Sequence, residues 1–243
     1  MHQNHKKSCY KLNLTVTNRV SLIGDTNYPY VSFQHISSYH KSLGDTVGLN
    51  LLNPNIIYIS CTFTRNKNRM LGIKKYYEKF GCKVYAGGSG IDIKLRLPKE
   101  IEQSPIDTEL YENLDYCFGF ATRGCIKNCK PYCIVHKKEG NIHYAGLDWI
   151  NKPNVIFYDN NLLSYPKHLE ILEKIRDEKY KACFNQGLDF QFINDDNASL
   201  ISEIKYYDRK FKHRRLYFAF DRLNLEPNSQ RKSCFLKQKR NTI

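Results

Sequence analysis

Gly119-Phe120-Ala121-Thr122-Arg123-Gly124-Cys125-Ile126-Lys127-Asn128-Cys129-Lys130-Pro131-Tyr132-Cys133 lies near the midpoint of a 243-residue chain and decides how the rest is read. It follows Tyr116 to Phe120, an apolar run that reads as a strand. Three residues separate Cys125 from Cys129, and three separate Cys129 from Cys133. Thiolates are soft ligands suited to iron–sulfur clusters or to zinc. A continuous helix would hold Cys125 and Cys133 roughly 12 Å apart along its axis, too far for one metal centre. Pro131 argues against such a helix, and a loop can bring the three together. With three cysteines, a four-iron cluster keeps one iron free of protein ligands. Two other readings stay open: a zinc site in which His136 completes a Cys₃His set, and plain buried thiols.

Outward from the loop, strands and helices alternate. On the C-terminal side Val155 to Tyr158 reads as a strand, and Pro166 opens a helix with Leu169, Leu172 and Ile175 on one face. Ala182 to Asn185 is the next strand. Asp195 or Asp196 caps a helix bearing Leu200 or Ile201 and Ile204, and Leu216 to Phe220 is a strand ending at Asp221. This is a βαβαβ succession, as in a (β/α) barrel whose ligands gather at the carboxyl ends of the strands. The polar residues there are Asp159-Asn160-Asn161, then Gln186 and Asp189, then Asp221; each also has an ordinary reading as a cap.

On the N-terminal side, strands are expected at Val20 to Ile23, Thr46 to Leu52, Ile56 to Phe63 and Cys82 to Ala86. Phe33, Ile36, Tyr39 or His40 and Leu43 recur at helical spacing with Gly44 to end the helix. Met70, Ile73, Tyr77 and Phe80 repeat that pattern before Gly81. The expected class is α/β of doubly wound type, with Gly87-Gly88-Ser89-Gly90 turning at a strand's carboxyl end. That cluster is read first as a tight turn; it is not a dinucleotide fingerprint. Residues 91–115 connect the two halves, and their acidic side chains are read as a solvated face.

Composition narrows the class. The net charge is +14, yet from Lys205 to Ile243 there are 12 Lys and Arg against 3 Asp and Glu, so most of the surplus sits at one end. A nucleic-acid-binding face across the whole protein is therefore weakly supported. Nine cysteines, an odd number, and a polar, basic start without an apolar leader point to a reducing cytoplasm rather than a secreted disulfide framework. No run reaches the roughly 18 apolar residues of a membrane span, and no membrane partner is expected.

The cysteine loop resembles the signature of the radical S-adenosylmethionine enzymes, Cys-x-x-x-Cys-x-aromatic-Cys after the first strand of a partial barrel. The first spacing fits and Tyr132 fills the aromatic position; Lys130-Pro131-Tyr132 makes the second spacing one residue longer than the family's. Thr122-Arg123-Gly124-Cys125 before the loop and Val135 to Gly140 after it are similar too. The N-terminal half resembles the cobalamin-binding-like domain that precedes many of these barrels, through Ser60-Cys61-Thr62 and Gly87-Gly88. Its cobalt-ligating Asp-x-His-x-x-Gly has no counterpart after Asp25, so cobalamin is not expected.

The resemblance implies a Rossmann-like, cobalamin-binding-like domain over 19–98, a linker over 99–115, a partial TIM-like barrel over 116–226 and a basic tail over 227–243. It implies a [4Fe-4S] cluster on Cys125, Cys129 and Cys133, with S-adenosyl-L-methionine on the free iron. Tyr132, Asp159, Asn160, Gln186 and Asp221 would contact that cofactor or the substrate. It further implies reductive cleavage to a 5′-deoxyadenosyl radical, an external flavodoxin- or ferredoxin-like electron donor, and an unnamed substrate. A degenerate member without activity and a non-catalytic zinc protein contacting RNA are the alternatives.

Overall fold

The computed structural model describes residues 17–127, 129 and 133–219. The expectations placed on Tyr132, on Asp221 and on the 227–243 tail lie outside the described residues. The chain is α/β with parallel sheets. Among the described residues, no helix is long and apolar enough to cross a membrane.

The first sheet is built from β1 (Arg19–Gly24), β2 (Thr46–Leu49), β3 (Ile56–Ser60) and β4 (Lys83–Gly87), all parallel and in the order β2-β1-β3-β4. Helix α1 (Val31–Ser42) links β1 to β2, and α2 (Lys67–Lys79) links β3 to β4. Both faces are covered, so its central strands are near-continuous apolar runs rather than alternating ones. Val20, Leu22 and Tyr58 point to the side of Phe33 and Ile36 on α1. Ile57 and Ile59 point to the other side, onto Met70 of α2. Gly44 and Gly81 follow the two helices with φ of 84° and 78°, the left-handed conformation that glycine adopts without steric cost.

Two expected strands are shorter than the apolar runs. β2 stops at Leu49 because Asn50 and Asn53 turn the chain with φ of 49° and 51°. β3 stops at Ser60 because the next residues are drawn into hydrogen bonds with Asp25.

The 99–115 stretch is fastened at both ends. α3 (Lys99–Glu102) places Ile101 in the first core beside Leu97 and Leu110. Tyr111 and Leu114 belong to the opposite cluster, against Phe118 and Ile156. The solvated-face reading fails at Asp107, whose buried carboxylate accepts from Ser37 Oγ at 2.6 Å and pairs with Lys41 at 2.8 Å.

The second sheet has the order β11-β9-β8-β5, from β5 (Cys117–Gly119), β8 (Asn154–Phe157), β9 (Lys181–Phe184) and β11 (Lys205–Tyr206), again parallel. Between β5 and β8 lie β6 (Thr122–Arg123), α4 (Val135–Glu139) and β7 (His143–Tyr144), with β6 antiparallel to β7. Helices α5 (His168–Asp177) and α6 (Asp195–Glu203) pack on one face, over Val155, Phe157, Ala182 and Phe184. β10 (Leu188–Asp189) pairs with β12 (Phe218–Ala219). The other face, Phe118, Ile156 and Cys183, is closed by Tyr111, Phe211 and Val31, the last from α1. Burying Phe118 or Ile156 there contributes about 2–3 kcal/mol each.

Two helix starts differ from the sequence reading. α5 opens at His168, after a single 3₁₀ turn over Leu162–Ser164, rather than at Pro166. α6 is capped by Asn194, not by Asp195 or Asp196. Asn194 accepts from Asn197 N at 3.0 Å while the Asn197 side chain accepts from Asn194 N at 2.9 Å.

Candidate functional site

The cysteine loop is tied shut at its base. Glu139 takes Arg123 in a two-pronged pair, Nε at 3.1 Å and Nη2 at 2.8 Å, and also accepts from Gly124 N at 3.1 Å. Cys125 N donates to Gly140 O at 3.2 Å, so both strands of the base are linked. Gly124 has φ 82°, and a Cβ there would lie 2.4 Å from Asn141 O. Only glycine fits this turn. Burial opposes ionisation of Glu139, but the Arg123 guanidinium outweighs it and holds the carboxyl below its ordinary range.

Cys125, at the inner end of the loop, is 6% exposed. Its sulfur lies 3.4 Å from Lys127 N and 3.7 Å from Asn161 Nδ2. Asn161 Nδ2 also donates to Asp189 at 3.0 Å, and Asp189 pairs with Lys127. The opposite atom, Asn161 Oδ1, is buried with no hydrogen-bond partner among the described residues. An acceptor left so costs roughly 1–3 kcal/mol, so the position calls for a donor that the described residues do not supply.

Cys129 and Cys133 are exposed, with Cys133 N donating to Cys129 O at 3.1 Å. The first thiol is thus buried while the other two are exposed. Among the described residues, no three His, Cys, Asp or Glu side chains converge as a ligand group. His136 Nδ1 lies 2.8 Å from Cys125 O, so that nitrogen is engaged by backbone and only Nε2 is left for a metal.

Asp159 follows β8 and is buried beneath the loop rather than open to a ligand. It accepts from Ala121 N at 3.1 Å, Thr122 N at 2.5 Å and Thr122 Oγ1 at 2.7 Å. Burial pushes its carboxyl up to about 6, with these three donors opposing. Its role is to fix the turn from β5 into β6. Asn160 and Gln186 face open space instead, and Asn160 Nδ2 reaches Glu139 at 3.5 Å.

That space is a cleft of about 1900 Å³ that reaches the carboxyl ends of both sheets and runs along the first sheet as far as Asn18, Ile56 and Lys83 at its amino end. Thr26, Thr62 and Ser89 line it from the first sheet, and Arg123, Asn160 and Gln186 from the second. Cys61 is on its wall, whereas Cys125, Cys129 and Cys133 are not among the described residues that line it. Between the ends of β1 and β3, where an open sheet of this order most readily takes a ligand, the protein's own Asp25 sits. It accepts from Tyr30 OH at 2.7 Å, Asn66 Nδ2 at 3.0 Å, Thr62 N at 2.9 Å and Phe63 N at 3.0 Å. Burial opposes its charge, but those donors hold the Asp25 carboxyl far below its ordinary range.

The glycine cluster reads as the tight turn expected. A Cβ at Gly88 would meet Cys61 O at 2.4 Å, and one at Gly90 would meet Phe63 C at 2.7 Å. The scattered thiols Cys61, Cys117 and Cys183 are buried, and burial raises all three, Cys183 to about 11. Sequence reasoning missed Glu139 as the clasp of the loop and Lys138 beside it in the cleft. The available signal was their place in Val135 to Gly140, one turn past the last cysteine. No family model matches the chain, and no curated protein matches it.

Proposed function

We propose that the chain is a radical S-adenosylmethionine-type iron–sulfur protein, with a Rossmann-like first unit and a shortened (β/α) barrel as the second. The observation that carries this reading is a three-cysteine loop, clasped at its base, opening at the carboxyl end of the first strand of a singly wound parallel sheet. The order β11-β9-β8-β5 follows the chain strand by strand, as a barrel wall does, whereas β2-β1-β3-β4 reverses direction once, as a doubly wound sheet does.

The donor type suits an iron–sulfur cluster, although the described thiols do not converge as a ligand group. Three thiols lie on one loop, and two N–H groups, from Lys127 and Asn161, point at the Cys125 sulfur. Hydrogen bonds to cluster sulfurs raise the reduction potential. A bound cluster would supply the electron for reductive cleavage of S-adenosylmethionine; the hard chemistry is the cofactor's and the chain supplies position and exclusion. Cys125, Cys129 and Cys133 would hold the metal. Lys127 and Asn161 would orient the Cys125 sulfur, Asp159 would fix the turn that delivers it, and Asn160 and Gln186 would present polar groups to the ligand in the cleft.

Anaerobic reconstitution followed by iron and sulfide analysis tests this. The expected result is about four of each per chain, with an electron paramagnetic resonance signal on reduction that changes when S-adenosylmethionine is added. Cys125→Ala should abolish it, while Cys61→Ala, in the first core, should not. One zinc without sulfide, or no metal, overturns the reading.

A further inference from the structure

Lys138 lines the cleft next to the loop's clasp, and its charge has no ion-pair partner among the described residues. Its neighbour Arg123 is neutralised by Glu139. Lys138 Nζ, among the described residues, has no carboxylate within ion-pair reach; it donates to Ser89 Oγ at 3.0 Å and keeps two further N–H groups. Burial lowers its basicity, and Arg123 and Arg96 push the same way against Glu139 and Glu102. Arg96 Nη2 also bonds the Lys138 carbonyl, so a second cation is fixed beside it.

Ser89 belongs to the turn after β4. Gly88 takes φ 98°, and the N–H groups of Gly88 and Ser89 make no hydrogen bond with any described residue. Both residues line the cleft together with Lys138 and Arg96. Consecutive free N–H groups beside a left-handed residue form a concave nest for an anion. A cationic side chain from the second sheet's loop thus meets free backbone donors of the first sheet's turn.

We propose that Lys138, the Gly88 and Ser89 N–H groups and the Ser89 hydroxyl form a phosphate site that holds the substrate's phosphate across the two sheets. The ligand is a phosphate ester, and the reading deepens the proposed function by giving its substrate a chemical class. Lys138 lies one helical turn beyond the cysteine loop, so the site anchors the substrate within the cleft that Asn160 and Gln186 share. The phosphate can come from a free nucleotide or from a nucleic-acid strand.

The test is calorimetric titration of metal-free protein at low ionic strength with pyrophosphate, adenosine monophosphate and a ten-nucleotide single strand. At least one should bind. Lys138→Met should weaken it roughly ten- to hundredfold, the loss expected for a charge-assisted hydrogen bond. Lys138→Arg should restore much of it, and Lys83→Met, on the same sheet but outside the turn, should leave it unchanged. Tighter binding of the monophosphate assigns a free nucleotide, and tighter binding of the oligonucleotide a strand. No binding of any probe, or binding indifferent to Lys138→Met, overturns the site. Iron and sulfide content of the Lys138→Met protein is read separately, so loss of the phosphate site and loss of the cluster are told apart.

Discussion

At Asp159 burial and hydrogen bonding act against each other, and the balance has a pH signature. Its carboxyl titrates at about 6 in the folded chain, against about 3.9 unfolded. The folded state therefore holds the proton more tightly. The stability this gives is fully present below about pH 4 and is lost as pH rises through about 6, by up to roughly 3 kcal/mol. Asp159→Asn removes the titration. It also sets an amide N–H₂ against Ala121 N–H, a cost that does not vary with pH. Urea melts from about pH 4 to 7 should show the wild type losing stability relative to Asp159→Asn as pH rises. Parallel curves would mean that Asp159 is not perturbed. Asp25 has the opposite sign: its contribution is present above the unfolded carboxyl range and disappears in acid. Asp25→Ala strands four donors at once, the N–H groups of Thr62 and Phe63, the Asn66 amide and the Tyr30 hydroxyl. A loss of about 3 kcal/mol or more is expected in the same melts.

The cysteine loop behaves as an element with a defined hinge, and Gly124 is where it breaks. Gly124→Ala imposes a left-handed φ on a Cβ residue and drives that Cβ into Asn141 O. The cost should be about 2 kcal/mol or more, with cluster occupancy falling further than stability, because Cys125 is the next residue. Equal losses at Gly124→Ala and at a distant, equally destabilising variant would remove the hinge role. The sheets were legible because both faces of the first are covered, so Val20 to Ile23 and Ile56 to Ser60 are plain apolar runs. The helices α1 and α2 were legible because glycines end them. The cap of α6 was not, since Asn194, Asp195 and Asp196 are all good N-caps and only the reciprocal Asn197 bond selects the first. Nor was the clasp: Glu139 lies 16 residues from Arg123, and nothing in local pattern pairs them. The candidate thiols were plain from their spacing. Their separation into one buried and two exposed groups depends on where the sheet ends, which spacing does not encode.

At the scale of the molecule, the two sheets are joined by side chains that neither core needs for itself. Tyr111 is wedged between them, its hydroxyl accepting from Tyr30 N at 3.0 Å while its ring meets Phe118 edge-on at 5.4 Å. Val31 and Phe211 pack into the same cluster, and the Arg209 guanidinium stacks 4.0 Å over Tyr28. This apolar joint closes the second sheet's inner face, so the first unit acts as a lid on that face as well as a wall of the cleft. Tyr111→Phe keeps the wedge and loses the hydroxyl, which should cost about 1 kcal/mol without changing cooperativity. Tyr111→Ala opens a cavity on both sides and should cost about 3–5 kcal/mol. If the joint couples the units, the wild type and Tyr111→Phe should melt in one transition by far- and near-ultraviolet circular dichroism, and Tyr111→Ala in two. The same variant should bind a dye specific for exposed apolar surface, because Phe118 and Ile156 lose their cover. A single transition in Tyr111→Ala, shifted but undivided and without dye binding, would show that the sheets are coupled elsewhere, with Arg209 on Tyr28 the next contact to remove.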